Sequence, residues 1–130
     1  MMVVDTSAIV AIFQDEPESE LFSDLIRGAD ESHVSTASVA ETLIVLDNRS
    51  RTGNSELLRN MLFELGLTIE VVTLTEAWIA GEAYRRFGKG RHPARLNMGD
   101  CFSYACAQVR GMPLLSKGVN FAATDLGSAA

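Results

Sequence analysis

The chain has 130 residues, 47% of them hydrophobic and 22% charged, a balance that is typical of globular proteins and excludes a disordered chain. The 17 acidic residues outnumber the 11 basic ones and leave a net charge of -6, which argues against a protein that coats nucleic acid or an anionic membrane. The length is that of one domain, so we expect residues 1–130 to fold as a single unit.

In chain order, we predict a strand over 1–4, helices over 6–13 and 18–27, a strand over 33–36, helices over 38–48 and 54–65, a strand over 68–72, helices over 75–87 and 100–110, and strands over 113–115 and 124–126. Gly66 suits the end of one helix, and Thr75 can cap the start of the next. The alternation predicts an α/β fold with a central parallel sheet flanked by helices on both faces. Ligands bind such sheets beyond the carboxyl ends of the strands.

The sequence shows no sign of export or of membrane insertion. The first residues lack the basic segment of a signal peptide, and no apolar run approaches the roughly 20 residues of a membrane span. Cys101 and Cys106 have the spacing of neither a zinc site nor a CxxC redox motif, so we interpret them as core thiols. We therefore expect a cytoplasmic protein that does not contact a membrane.

Three acidic residues stand near predicted helix starts, and each has an ordinary structural explanation. Asp5 follows the first strand and can cap the helix behind it. Ser38 and Glu41 fit the S-x-x-E capping box, in which the glutamate binds the backbone N–H of the cap residue. Asp100 can cap the helix over 100–110 in the same way as Asp5.

Taken together, the same three carboxylates indicate a metal site. Asp5, Glu41 and Asp100 can converge at one edge of the sheet, where they would repel one another unless a divalent cation neutralised them. Mg²⁺ prefers a few carboxylate oxygens together with water and phosphate oxygens. A metal held in this way can activate water for attack on a phosphodiester. The alternative, three unrelated helix caps, stays open on this reasoning alone.

Five segments resemble the PIN-domain family, and in particular the VapC ribonuclease toxins of bacterial type II toxin–antitoxin systems. They appear in the family's order over nearly the whole chain: VVDTSA (3–8), STASVAE (35–41), RRFGKGRHPA (85–94), LNMGDCFSYA (96–105) and LSKGVNF (115–121), the last followed by Thr124 and Asp125. The resemblance implies a compact α/β/α ribonuclease domain that binds Mg²⁺ or Mn²⁺ and cleaves RNA.

The resemblance also implies roles for individual residues and partners. Asp5 and Asp100 would be metal ligands, and Glu41 would complete the acidic cluster, either by holding metal or by orienting the attacking water. Thr6 and Ser7 would place their hydroxyls beside the metal. A small cognate antitoxin protein and a symmetric homodimer are implied by the family and by nothing in the composition.

One position departs from the family's pattern. Where the family usually has Gly-Asn/Asp-Asp-Phe, this chain has Gly118-Val119-Asn120-Phe121, so a neutral amide at Asn120 stands in the place of the common fourth carboxylate. This difference puts the affinity for a second metal in doubt. It leaves open an alternative function, a weakened or inactive PIN fold that only binds RNA or an antitoxin. An aspartyl-phosphate phosphatase is disfavoured because Ser7 occupies the place of its second aspartate.

A basic loop precedes Asp100. Residues 85–95 contain five positive charges and no acid, so the remaining residues carry -11 and the net charge hides a polarised molecule. We predict that four of these side chains bind RNA phosphates on their way to the metals, namely Arg85, Arg86, Lys89 and Arg91. The alternative is a solvated loop without a function.

Several other polar and aromatic residues are given structural roles. We expect His33 and His92 to be isolated histidines without a matched partner, and Trp78 and Tyr84 to pack in the core or at a dimer interface. The acidic run over 15–20 reads as a solvated helix start that the helix dipole favours. We expect Asp125 to lie near the site in the folded chain and assign it no role.

Overall fold

The computed structural model describes residues 1–50 and 53–130. Its strands are β1 (Met2–Val4), β2 (Ser32–Ser35), β3 (Thr68–Glu70) and β4 (Leu114–Leu115). Its helices are α1 (Thr6–Phe13), α2 (Ser19–Gly28), α3 (Thr36–Arg49), α4 (Asn54–Glu64), α5 (Leu74–Phe87) and α6 (Met98–Arg110), and a 3₁₀ turn spans Asn120–Ala123.

The strands form one sheet in the order β3-β2-β1-β4, and every neighbouring pair is parallel. The chain winds outward from β1 to β2 and β3, and then crosses back to add β4 on the other side of β1. The direction of winding therefore reverses between β1 and β4, and such a reversal opens a crevice at the carboxyl ends of the two strands. The α/β fold with a parallel sheet is confirmed.

Alternation along the strands divides the core into two layers. Val3 packs on one face of the sheet with Ala83 of α5 and Ala105 of α6. Val4 packs on the other face with Ile9 of α1 and side chains of α2 and α4. Helices thus cover both faces, as the alternation of strands and helices predicted.

The predicted capping box at Ser38 and Glu41 is wrong. Helix α3 begins one turn earlier, at Thr36, because the Ser35 hydroxyl accepts a hydrogen bond from the N–H of Ala37 at 3.2 Å. Ser38 and Glu41 therefore lie inside the helix, three residues apart on the same side. Glu41 is not needed as a cap, which leaves its carboxylate available for another role.

Two further local predictions fail, and each failure has a physical reason. Thr75 does not cap α5, because the helix begins at Leu74 and its cap is Thr73, which forms a complete capping box with Glu76. The strand predicted over 124–126 is absent from the described chain, where a 3₁₀ turn is followed by a single bridge between Leu114 and Ser128.

Other boundaries are confirmed to within a few residues. Helix α1 has the predicted bounds, and Asp5 caps it. Gly66 follows α4 with a φ of 70°, a left-handed conformation that glycine adopts without steric cost. No helix in the described part of the chain has the length and apolar character that a membrane crossing requires.

Candidate functional site

A polar cavity of about 360 Å³ opens at the carboxyl ends of β1 and β4. Its wall contains the carboxylates of Asp5, Glu41 and Asp100, which come from the end of β1, the middle of α3 and the start of α6. Thr6 and Ser7 line the same cavity. The structure therefore brings together the three acidic residues and the two hydroxyls that the sequence singled out.

One oxygen of the Asp5 carboxylate caps helix α1, and the other is buried at the cavity. Its Oδ2 accepts hydrogen bonds from the Ser7 N–H at 3.0 Å and from the Ser7 hydroxyl at 2.6 Å, which caps α1. Asp5 is only 3% exposed, and its Oδ1 has no hydrogen-bond partner among the residues that the structure describes. A buried carboxylate oxygen without a partner is costly, and a ligand bound to Oδ1 would remove that cost. The helix cap therefore accounts for only one of the two carboxylate oxygens.

Asp100 is anchored through its backbone and one oxygen. Asn97 caps α6 and accepts from the Asp100 N–H at 2.8 Å, while Asp100 Oδ2 accepts from the Asn97 N–H at 3.0 Å. The pKa of the Asp100 carboxyl is raised to about 6, with burial as the largest cause; the hydrogen bond from the Asn97 N–H lowers it, and the negative charges of Asp5 and Glu41 raise it. The crevice therefore disfavours three simultaneous negative charges.

Glu41 approaches the backbone of α6 at Gly99. A Cβ atom at position 99 would overlap the Glu41 carboxylate, so the glycine gives this side chain the room to lie next to Asp100. Gly99 was quoted in the motif, but its contribution to the site could not be seen without the contact between the helices.

A row of hydroxyls lies beneath the carboxylates and ties three helices together. The Thr6 hydroxyl donates to the Ser38 carbonyl at 3.5 Å, and the hydroxyls of Ser38 and Ser103 are 3.1 Å apart. Ser38 lies one turn before Glu41 on α3, and Ser103 lies one turn after Asp100 on α6. Because all three hydroxyl residues are buried, these bonds fix α1, α3 and α6 relative to one another.

The donor set fits a hard divalent cation. Asp5 offers an unpartnered buried oxygen, Asp100 and Glu41 add carboxylates, and Gly99 keeps the space beside them open. Within residues 1–50 and 53–130, no three His, Cys, Asp or Glu side chains are placed so that together they could hold a metal ion, so a cation here would be held by fewer carboxylates and by water. Mg²⁺ suits this arrangement, because it is usually held by one or two carboxylates and keeps several water ligands.

Three charged residues at the mouth of this cavity were missed by the sequence reasoning. Glu16, Arg49 and Lys117 all line it, although the acidic run that contains Glu16 was interpreted as a solvated helix start. Lys117 could have been found, since it follows β4 as closely as Thr6 follows β1. Arg49 gave no signal, because it is simply the last residue of α3.

The basic loop lies away from the acidic cavity. Arg86 pairs with Asp125 at 3.6 Å, which gives Asp125 a partner, and Arg85 pairs with Glu82 at 3.3 Å. Arg91 stacks over the ring of Tyr84.

Lys89 lines a separate apolar groove between α5 and α6. Of the four candidate RNA contacts, none lines the acidic cavity, although Asn97 borders both cavities.

Asn120 is also outside the cavity wall. It begins the 3₁₀ turn after β4 and is exposed to solvent, as is Val119 beside it. The position of the family's fourth carboxylate is therefore neither charged nor in contact with the other three in this chain.

The histidines do have partners, contrary to the prediction. His33 Nδ1 lies 2.7 Å from Glu70 Oε1, inside a network in which Arg110 binds Glu70 at 2.9 Å and Glu76 at 3.0 Å. His92 Nδ1 accepts from the backbone N–H of Ala94 at 3.0 Å. Both rings are bound within the structure and lie outside the acidic cavity.

The predictions for the two cysteines and for Trp78 have different outcomes. Cys101 and Cys106 are free and buried, and burial raises the pKa of each thiol to about 11, so both are core thiols as expected. Trp78 does not pack in the core, because it is 74% exposed.

The sequence as a whole matches a family. A model of the PIN domain matches residues 2–126. This chain belongs to the PIN-domain family. It is 46% identical over 125 residues to a ribonuclease VapC of Mycolicibacterium smegmatis, which covers 96% of this chain and 97% of that relative. It is 42% identical over 129 residues to ribonuclease VapC30 of Mycobacterium tuberculosis, over 99% of this chain and 98% of the relative. The resemblance read from the motifs is confirmed.

Solved structures agree on the fold. VapC20 of Mycobacterium tuberculosis, described as a toxin that cleaves the sarcin–ricin loop, superposes with a TM-score of 0.78 at 19% identity over 97% of this chain and 96% of that one. A chain of a toxin–antitoxin complex from Klebsiella pneumoniae gives 0.71 at 16% identity, over 96% of this chain and 93% of its own. At these identities the likeness shows a shared PIN fold.

Proposed function

We propose that residues 1–130 form one metal-dependent endoribonuclease domain, the toxin of a type II toxin–antitoxin system, which hydrolyses RNA phosphodiester bonds. One observation carries the proposal: three carboxylates, from the end of β1, from α3 and from α6, converge in one crevice, where a buried oxygen of Asp5 has no partner within residues 1–50 and 53–130. The names of relatives that are 40–46% identical over nearly the whole chain support the same activity.

The roles of the residues follow from their positions. Asp5 and Asp100 would hold Mg²⁺, or Mn²⁺ in its place, and a bound cation would supply an activated water and offset phosphate charge. Glu41 faces them from α3 and would orient the attacking water or accept its proton. Ser7 keeps Asp5 in a single orientation through two hydrogen bonds, and Thr6 fixes α1 against α3.

The basic loop would make the outer contacts with RNA. Its arginines are engaged only in exposed ion pairs or in stacking on aromatic rings, and such pairs are weak enough for a phosphate to replace them. Arg85, Arg86, Lys89 and Arg91 would therefore act on the affinity for RNA more than on the chemical step.

The partners are proposed on the same basis. A cognate antitoxin is supported by the toxin–antitoxin complex among the structures that share the fold. A homodimer is supported by the large apolar side chains that α5 and α6 leave exposed, Leu74, Trp78 and Met98. Two free, buried cysteines suit a reducing cytoplasm.

Cleavage of RNA with added Mg²⁺ or Mn²⁺ tests the enzymatic function directly. We expect the wild-type chain to cleave, Asp5→Ala to fall to background, and Asn120→Asp to equal or exceed the wild type. Heat-inactivated protein and excess EDTA serve as controls. Equal activity near zero for all three proteins would overturn the proposal.

A second function, a PIN fold that only binds RNA or an antitoxin, is favoured by Asn120. This residue is neutral and lies outside the cavity, so the fourth carboxylate is missing. Calorimetric titration with Mn²⁺ separates the two functions: a binding-only module would show no uptake of metal and no cleavage, yet would still bind RNA.

A further inference from the structure

One carboxylate at the mouth of the acidic cavity holds two cations. Glu16 Oε1 lies 2.6 Å from Lys117 Nζ, and Glu16 Oε2 lies 3.6 Å from an Arg49 guanidinium nitrogen. All three side chains line the same cavity as Asp5, Glu41 and Asp100. Cations are thus available at the edge of a crevice whose interior is strongly acidic.

Lys117 is positioned relative to Asp5 by direct bonds. Its backbone N–H donates to the Ser7 hydroxyl at 2.9 Å, and that hydroxyl donates to Asp5 Oδ2 at 2.6 Å. A single hydroxyl therefore separates the backbone of Lys117 from the carboxylate that would hold the metal. The lysine follows β4 and Asp5 follows β1, so both flank the point at which the winding of the sheet reverses.

Arg49 reaches the same carboxylate from the other side. It extends from the end of α3 and also binds the side-chain oxygen of Gln14. Lys117 and Arg49 keep much of their side chains in solvent. Exposed ion pairs of this kind are held weakly, because water and salt screen them.

We propose that Lys117 and Arg49 form a phosphate subsite for the RNA chain at the mouth of the cavity, and that Glu16 occupies this subsite in the free protein. The inference rests on the ribonuclease function proposed above. The Glu16 carboxylate presents two oxygens to an ammonium and a guanidinium, which is the geometry that two oxygens of a phosphodiester would take. RNA displaces Glu16, and both cations then contact a phosphate next to the one that is cut.

A cationic subsite reduces the electrostatic repulsion between the cavity and RNA. The carboxylates of Asp5, Glu41 and Asp100 repel the phosphates of an approaching RNA chain, and the basic loop lies at another part of the surface. Positive groups at the rim offset this repulsion where the substrate enters. Lys117 and Arg49 are positioning residues in this account, since they hold the chain and leave the reacting atoms to the carboxylates.

Opposite effects of two substitutions distinguish a phosphate subsite from a purely structural ion pair. Lys117→Ala removes a phosphate contact, so it weakens RNA binding several-fold and reduces the salt dependence of log K by about 0.7 for single-stranded RNA. Glu16→Gln removes the nearer of the two carboxylates that bind Lys117, at 2.6 Å against 3.7 Å for Glu18, and the one that also binds Arg49, so it tightens RNA binding. A structural pair predicts that both substitutions lower Tm and that neither changes the salt dependence.

The measurement is fluorescence anisotropy of a short labelled single-stranded RNA in Ca²⁺, at several salt concentrations. Arg27→Ala and Glu64→Gln are matched controls, because each makes the same change of net charge at an exposed site of α2 or α4. Lys117→Arg retains the charge and should bind with the wild-type salt dependence. In cleavage assays, Lys117→Ala should raise KM and leave kcat nearly unchanged.

The proposal is overturned if Glu16→Gln weakens binding, if Lys117→Ala behaves like Arg27→Ala, or if the wild type does not bind RNA. Failure of the ribonuclease function gives a different pattern, in which RNA binding shows the predicted effects but no protein cleaves RNA in Mg²⁺ or Mn²⁺.

Discussion

Two clusters of acidic side chains lie on different parts of this molecule, and they differ in whether cationic side chains pair with them. Around Arg110, the carboxylates of Glu70 and Glu76 are each bound by the guanidinium, and hydrogen bonding to Arg110 and then to His33 lowers the pKa of Glu70. In the cavity, Asp5, Glu41 and Asp100 form no ion pair within residues 1–50 and 53–130, since Lys117 and Arg49 bind Glu16 at its mouth, and burial raises the pKa of Asp100 to about 6.

The two clusters differ in what they contribute: the one around Arg110 stabilises the fold, and the one in the cavity is available to a ligand. The network around Arg110 ties β2 and β3 to α5 and α6, and its charges are satisfied by the protein itself. Asp5, Glu41 and Asp100 are not neutralised in this way by the part of the chain that the structure describes, which costs stability unless a ligand supplies the partner. An acidic cluster of this kind is therefore the better guide to a candidate cation site.

Asp5→Asn should have the largest effect on RNA cleavage. We expect RNA cleavage to fall to background, while the Tm of the metal-free protein stays equal or rises. The amide can still cap α1 through its oxygen, and it removes one of three mutually repelling charges. A cleavage assay together with thermal unfolding in EDTA measures both effects. A large loss of Tm would mean that Asp5 is mainly a structural cap.

Arg110→Met should have the largest effect on stability. It leaves Glu76, which is 2% exposed, as a buried charge without its cation, a change that typically costs about 3–5 kcal/mol. Urea unfolding measures the loss. The substitution Arg85→Met is a control, since it breaks only an exposed pair with Glu82. Equal stability of the two variants would contradict the structural role of the network.

The two clusters should also respond to pH in opposite directions. The pKa of Asp100 is raised from 3.8 to about 6 in the folded protein. The protonated carboxyl therefore stabilises the metal-free fold in acid. This part of the free energy of unfolding, about 1–3 kcal/mol, is lost as pH rises through 6. The lowered pKa of Glu70 acts in the other sense, since its contribution is lost as pH falls below 4.5.

Thermal unfolding in EDTA between pH 5 and 7, compared for the wild type and Asp100→Asn, isolates the first of these contributions. The difference in Tm between the two proteins should change across that range. A constant difference would show that Asp100 titrates normally.

Gly99→Ala should have the smallest effect on stability and the most specific effect on function. Alanine inside a helix is favoured over glycine by about 1 kcal/mol, and the atom it would displace is the mobile end of Glu41. We therefore expect an equal or higher Tm with reduced cleavage. A matched substitution, Gly81→Ala in α5, meets no atom within 4 Å and should leave cleavage unchanged.

The sequence predicted the elements and the three carboxylates because these depend on local patterns. The continuous apolar run Met2–Val4, typical of a strand buried on both faces, is visible in the chain, and so is the position of Asp5 after it. The positions of Glu41 and Asp100 near predicted helix starts singled them out as well, and the motif resemblance then gave them roles.

The order of strands was not predictable in the same way. It depends on which side of β1 receives β4, and that choice brings Lys117 to Ser7 and Asp5. Glu16 and Arg49 were missed for the same reason, because their contacts join distant parts of the chain. The network of His33 with Glu70 and Arg110 was missed because it links β2, β3 and α6.

Calorimetric titration of the wild type and Asp5→Asn with Mn²⁺ near neutral pH shows whether Asp5, Glu41 and Asp100 form a cation site. We expect saturable binding to the wild type, a higher Tm at saturation, and loss of both in Asp5→Asn. Equal binding of Mn²⁺ by the two proteins, or binding by neither, would contradict it.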